Sequence, residues 1–134
     1  MKNTFLFCIL SLTIFFISSC QKTANDIANE KLIVGKWSTK GYNIFSTDSA
    51  VFNFSSDKSG TSSFRGETNS FSWGIKNNFL NTFYKKAPKS YVIGNDQYNS
   101  QGVYKINSIQ STKMELVQDD YDGLQITLDF HKIK

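Results

Sequence analysis

The side chains best suited to chemistry are few and far apart in this 134-residue chain: two thiols, Cys8 and Cys20, one imidazole, His131, and one guanidinium, Arg65. A Ser-His-Asp set, a His-Glu pair or a three-histidine metal centre needs more than one lone imidazole near a terminus, so His131 predicts packing or a salt contact on the last strand. Glu67 and Glu115 are isolated among β-forming residues, and nothing pairs either with an Asp across a glycosidic bond. Asp120, Asp122 and Gly123, with Asp129 beyond, have the spacing of part of a calcium-binding loop. Its first position would be Gln118 and its last is Asp rather than Glu, so a solvated hairpin turn is expected. No Gly-rich loop opens a helix, which removes the phosphate cradle. Lys85, Lys86 and Lys89 bracket Pro88 and read as a solvated loop, with an anionic lipid or glycan surface as the alternative. No catalytic residue, no metal ligand and no cofactor is therefore expected, and the chain does not read as an enzyme.

The thiols carry a different chemistry. Lys2 precedes the apolar run Phe5 to Ile17, then Ser18, Ser19 and Cys20. That run is shorter than the ~20 residues a helix needs to span a bilayer, so it reads as an export signal rather than a permanent span. Ile17-Ser18-Ser19-Cys20 resembles the lipobox of bacterial lipoproteins. The resemblance implies diacylation of the Cys20 thiol, cleavage before it and acylation of the new N-terminus, with two or three acyl chains holding the protein on a membrane. Gln21 after the Cys, with no Asp there, resembles the pattern of lipoproteins sent on to an outer membrane, which implies that destination within the cell envelope. Cys8 leaves with the signal, so residues 20–134 keep no free thiol and no disulfide, and the fold must rest on packing alone.

Elements to position any site are predicted to be strands. Aromatics reach 15%, charged residues 19%, Pro occurs once, and the length suits a single core. The formal charge of +4 is scattered rather than blocked, so nucleic acid is not an expected partner. Residues 20–30 read as a lipidated tether containing one helical turn, capped by Asn25 or Asp26. From there apolar residues follow a period of two, and 31–134 reads as one domain of about eight short strands. These run over 33–40, 49–55, 61–65, 69–76, 79–84, 102–107, 113–118 and 124–132, with an edge piece at 91–94. Turns fall at 56–60, at Asn77-Asn78 and at 119–123. Short hairpins without a long crossover favour a small antiparallel up-and-down barrel, closed so that no strand edge is exposed.

Gly35-Lys36-Trp37 at the start of the first strand is similar to the Gly-x-Trp that opens lipocalin-like barrels. Phe52-x-Phe54, Asp57 and Gly60 in the following turn, Trp73, Tyr104-Lys105-Ile106-Asn107 and Met114-Glu115-Leu116 resemble the small lipocalin-like domains of Bacteroidetes lipoproteins. The resemblance implies an all-β, lipocalin-like barrel of eight strands, with Gly35 and Trp37 at its floor and a cup for a small apolar molecule. Lipocalins often set an Arg of the last strand against the floor Trp. Arg65 is wrongly placed for that, so His131 or Lys132 must substitute. Phe52, Phe54, Phe71, Trp73, Phe83 and Tyr104 are candidates to line a ligand cavity, or to fill the interior as core. Asp48-Ser49-Ala50 resembles the O-glycosylation sequon of Bacteroidetes exported proteins, which makes Ser49 a candidate attachment site. Two functions follow as expectations. One is a membrane-anchored envelope barrel that binds a small apolar or amphipathic molecule. The other is a non-catalytic interaction module whose rim contacts an envelope protein or glycan.

Overall fold

The computed structural model describes residues 22–40, 49–86, 101–119 and 125–134. Helix α1 (Ala24–Ile33) comes first. Its N-cap is Thr23, whose hydroxyl accepts from the Asp26 amide at 3.1 Å while Asp26 Oδ2 accepts from the Thr23 amide at 3.4 Å, a reciprocal capping box. The expected single turn capped by Asn25 or Asp26 is thus a ten-residue helix capped earlier, and Ile33 ends it rather than starting a strand.

Eight strands follow: β1 (Gly35–Lys40), β2 (Ser49–Phe54), β3 (Ser59–Phe64), β4 (Glu67–Lys76), β5 (Phe79–Tyr84), β6 (Gln101–Ile109), β7 (Lys113–Asp119) and β8 (Gln125–Lys132). Each pairs antiparallel with its sequence neighbour, and β8 returns to β1 through Trp37–Lys132, Ser38–His131 and Thr39–Phe130, closing the barrel. Closure satisfies the backbone groups that the outer strands of an open meander would expose. Ser59 and Gly60 belong to β3 rather than to the preceding turn, and β6 runs on to Ile109 past an irregularity between Ile106 and Ser108. The edge piece expected over 91–94 lies outside the described residues.

Two hairpins use left-handed pairs, Arg65-Gly66 (φ 48° and 81°) and Asn77-Asn78 (φ 53° and 64°). Such turns match the right-handed twist of the strands, and Asn tolerates that backbone better than other non-glycine residues. Up-and-down order gives the barrel two unlike ends. One carries α1, the turn after β2, Asn77-Asn78 and the short connection from β6 to β7. At the other, Arg65-Gly66 joins β3 to β4, and the remaining strands are joined through 41–48, 87–100 and 120–124.

Candidate functional site

At the helix end, Trp37 is fully buried, and its indole Nε1 donates to the Ile33 carbonyl at 2.6 Å, tying the first strand to the last turn of α1. Lys132, from the last strand, lays its ammonium 4.9 Å from the Trp37 ring centre and donates to the Leu32 carbonyl at 3.2 Å. Lys132 therefore occupies the place beside the floor Trp, while His131 is exposed one residue earlier. Gly35 makes room for this. It has φ 131°, and a Cβ there would lie 2.6 Å from Lys132 Cε.

The helix is latched to the floor by acids. Asp26 is buried, and its two carboxylate oxygens accept from the Asn77 and Asn78 amides, each at 2.9 Å. The bond from Asn78, stronger in effect than the opposing burial, together with those from Asn77 and Thr23, holds the Asp26 carboxyl below its ordinary range. Asn78 also donates through Nδ2 to the Ile106 carbonyl at 2.7 Å and accepts from Asn29 at 3.3 Å. One turn thus joins helix, β4–β5 hairpin and β6. Burial pushes the Glu30 carboxyl up, but bonds from Lys22, Lys58 and the Ile75 amide outweigh it and leave it lowered. Lys58 bridges Glu30 at 2.8 Å and lies 4.1 Å over the Trp73 ring, whose Nε1 donates to the Ser55 and Ser59 carbonyls. Sequence reading passed over this latch. Its signal was present in Thr23-x-x-Asp26 and in an Asn pair whose left-handed amides need an acceptor.

Inside the barrel, aromatic rings pack against one another from the helix end to the middle of the strands. Phe52, Phe54, Phe71 and Trp73 meet stacked, tilted or edge to face, with ring centres 5.5 to 6.3 Å apart, and Phe130 closes on Phe52 at 5.5 Å. Tyr104 is also buried and faces inward. Phe83 does not line the interior. Alternation along β5 turns Thr82 and Tyr84 inward and Phe83 outward, where it is 47% exposed. Ser49 is exposed at the start of β2, paired with Lys40.

Toward the other end polar side chains interleave with the rings, Thr39, Ser62 and Thr82 standing opposite Phe130, Phe52 and Trp73, and Phe64 and Tyr84 are buried beyond them. Thr39, Ser62, Thr82 and Gln118 point inward and are buried, and the Tyr84 hydroxyl lies 3.2 Å from Ser62 Oγ. Thr82 Oγ1 and Asn69 Nδ2 are buried without a hydrogen-bond partner. Gly102 keeps the belt tight, because a Cβ there would come within 2.8 Å of both Thr82 Oγ1 and the Tyr104 hydroxyl.

Outside, a groove of about 380 Å³ runs along β7 and β8, lined by the cross-strand pairs Glu115–Asp129 and Lys113–His131. Gln118 faces the interior and Asp129 the solvent, so these two expected termini of a calcium loop lie on opposite sides of the wall. Among the described residues no three His, Cys, Asp or Glu side chains are grouped as metal ligands. Cys20, Lys89 and residues 120–123 lie outside the described residues.

In structure the chain is similar to a lipocalin-like protein from Bacteroides uniformis ATCC 8492, with 17% identity and a TM-score of 0.48. The likeness covers 76% of this chain and 99% of that one. No family model and no curated protein matches the sequence.

Proposed function

We propose that this chain is a lipid-anchored, non-catalytic barrel of the cell envelope that binds a small amphipathic molecule inside the barrel. The observation that carries the reading is the inward belt of Thr39, Ser62, Asn69, Thr82 and Gln118 interleaved with the aromatic rings. A barrel interior serving only as core is expected to be apolar, since a buried polar atom without a partner costs roughly 1 to 3 kcal/mol. Thr82 Oγ1 and Asn69 Nδ2 are such atoms. A ligand with hydroxyl, carbonyl or amide groups would satisfy them, its apolar part resting on the neighbouring Phe and Tyr rings. No helix among the described residues is long and apolar enough to cross a membrane; in this reading Cys20 carries the anchor.

Native mass spectrometry of the full chain purified from envelopes tests the binding half. A co-purified species that is lost in Thr82→Val and Asn69→Leu supports it. Ligand-free protein that also takes up no monoacylglycerol or fatty amide from a panel refutes it. For the anchor, Cys20→Ala should abolish acyl incorporation and release the protein from membranes.

The second reading, an interaction module, is favoured by the close aromatic filling of the interior and by Phe83 and Val103 exposed on adjacent strands. Cross-linking from a photoreactive group at position 83 to a single envelope protein would select it over ligand binding.

A further inference from the structure

We propose that the helix-capped end of the barrel is a membrane-docking face, which seats on anionic lipid headgroups and turns the opposite end toward water. This rests on the Cys20 anchor proposed above. Helix α1 is packed with its polar side inward: Asp26, Asn29 and Glu30, with Ile33, meet the barrel, and Ala24, Ile27, Ala28 and Lys31 face solvent. A surface helix on a globular core ordinarily turns its apolar side to that core. Here Ile27 is 46% exposed, and Leu32 is exposed on the flank.

The latch gathers more apolar surface at the same end. Phe79 follows the Asn77-Asn78 turn that Asp26 holds, and Ile133 follows Lys132 and donates its amide to the Lys36 carbonyl. Scattered exposed hydrophobics need no explanation, but four of the six large ones among the described residues stand at this end. Lys31, Lys36 and Lys76 are exposed there too, and none of them forms a salt bridge among the described residues. Glu30 is already held by Lys22 and Lys58, which leaves Asp57, bonded by Ser59, as the acid of the neighbouring turn. Apolar side chains and unpaired lysines at one end are the chemistry of an interfacial surface on anionic lipid.

Tether length selects the membrane over other occupants. Cys20 stands three residues before the cap Thr23, so at no more than about 3.6 Å per residue its Cα lies within about 11 Å of the helix start. Interfacial helices bury about 5 to 10 Å into the headgroup boundary, a depth so short a tether permits. The opposite end of the barrel then faces away from the bilayer that holds the anchor.

The test uses the full-length lipidated protein, its acyl chains verified by mass, in phosphatidylcholine vesicles with or without phosphatidylglycerol. A polarity-sensitive fluorophore is placed on Ala28→Cys at the helix face or on Gln101→Cys at the opposite end. On phosphatidylglycerol vesicles the label at 28 should be blue-shifted and several-fold less accessible to an aqueous quencher than the label at 101. Lys31→Gln/Lys36→Gln/Lys76→Gln should return much of that accessibility. Equal quenching at 28 and 101 in acylated protein overturns the docking face and leaves the anchor standing. A mass without acyl chains overturns both. Protection at 28 that is indifferent to phosphatidylglycerol and to the three lysines overturns the assignment to anionic headgroups.

Discussion

Replacing Asp26 with Ala should unlatch the helix from the barrel floor, and the structure sets the size of the effect. The carboxylate accepts from the Asn77 and Asn78 amides at 2.9 Å each, and it completes the capping box with Thr23. A hydrogen bond to a charged group contributes roughly 1.5 to 3 kcal/mol when dry, which puts an upper bound of about 6 kcal/mol on the two turn bonds. Asn77 is exposed and Asn78 half-buried, so water replaces part of what is lost. The expected destabilisation of Asp26→Ala is therefore about 2 to 3 kcal/mol, with Asp26→Asn, which keeps one acceptor, near half of that. The bonds from the Asn78 and Asn77 amides depress the Asp26 carboxyl below its unfolded value, so this stability is fully present above about pH 4 and is lost as pH falls toward the depressed folded value. Urea melts of wild type and both variants, near neutrality and at about pH 3, measure it. The gap between wild type and Asp26→Asn should narrow in acid. A gap under about 0.5 kcal/mol at neutral pH, or one that does not change with pH, refutes the latch.

Three more outcomes follow from packing, each read by thermal or urea melts. Gly60→Ala should destabilise by roughly 1 to 3 kcal/mol, because a Cβ would meet the Phe71 ring at 2.3 Å and the Asn53 carbonyl at 2.8 Å, whereas Gly74→Ala, with nothing within 4 Å, should be near neutral. Trp37→Ala should cost about 3 to 5 kcal/mol for loss of a buried indole, and Lys132→Met about 1 kcal/mol for loss of its cation–π contact and its bond to the Leu32 carbonyl. Phe83→Ser should shift stability by less than about 0.5 kcal/mol while Phe71→Ala costs about 3 to 5, and equal effects would contradict the outward placement of Phe83.

The barrel was legible because its signal is repetitive. Period-two alternation along Phe71, Trp73 and Ile75, and along Leu128 and Phe130, marks one face whatever the neighbours do, and short turn signals admit few topologies besides a meander. The same alternation misleads where an aromatic sits on the wrong parity. Phe83 reads as interior by type, but the registers Trp73–Thr82 and Thr82–Gly102 put its neighbour inside, and it is the strand pairing that reveals that. Lys132 as partner of Trp37 was within reach, since closure must bring the last strand to the first.

The latch was harder to read because it joins residues about fifty positions apart through backbone amides, which carry no side-chain signature. A helix whose buried side is Asp, Asn and Glu also defeats the usual rule that apolar periodicity marks the packed face. That inversion is intelligible once the floor is seen to present polar groups to α1: the left-handed Asn77-Asn78 amides, the Ile75 amide and the Lys58 ammonium all point donors toward it. Donors at the end of a barrel require acceptors on whatever caps it, so the polar side of α1 must turn inward. Its remaining apolar residues are then left outside, and the docking face follows from the same hydrogen-bond requirement that closes the floor.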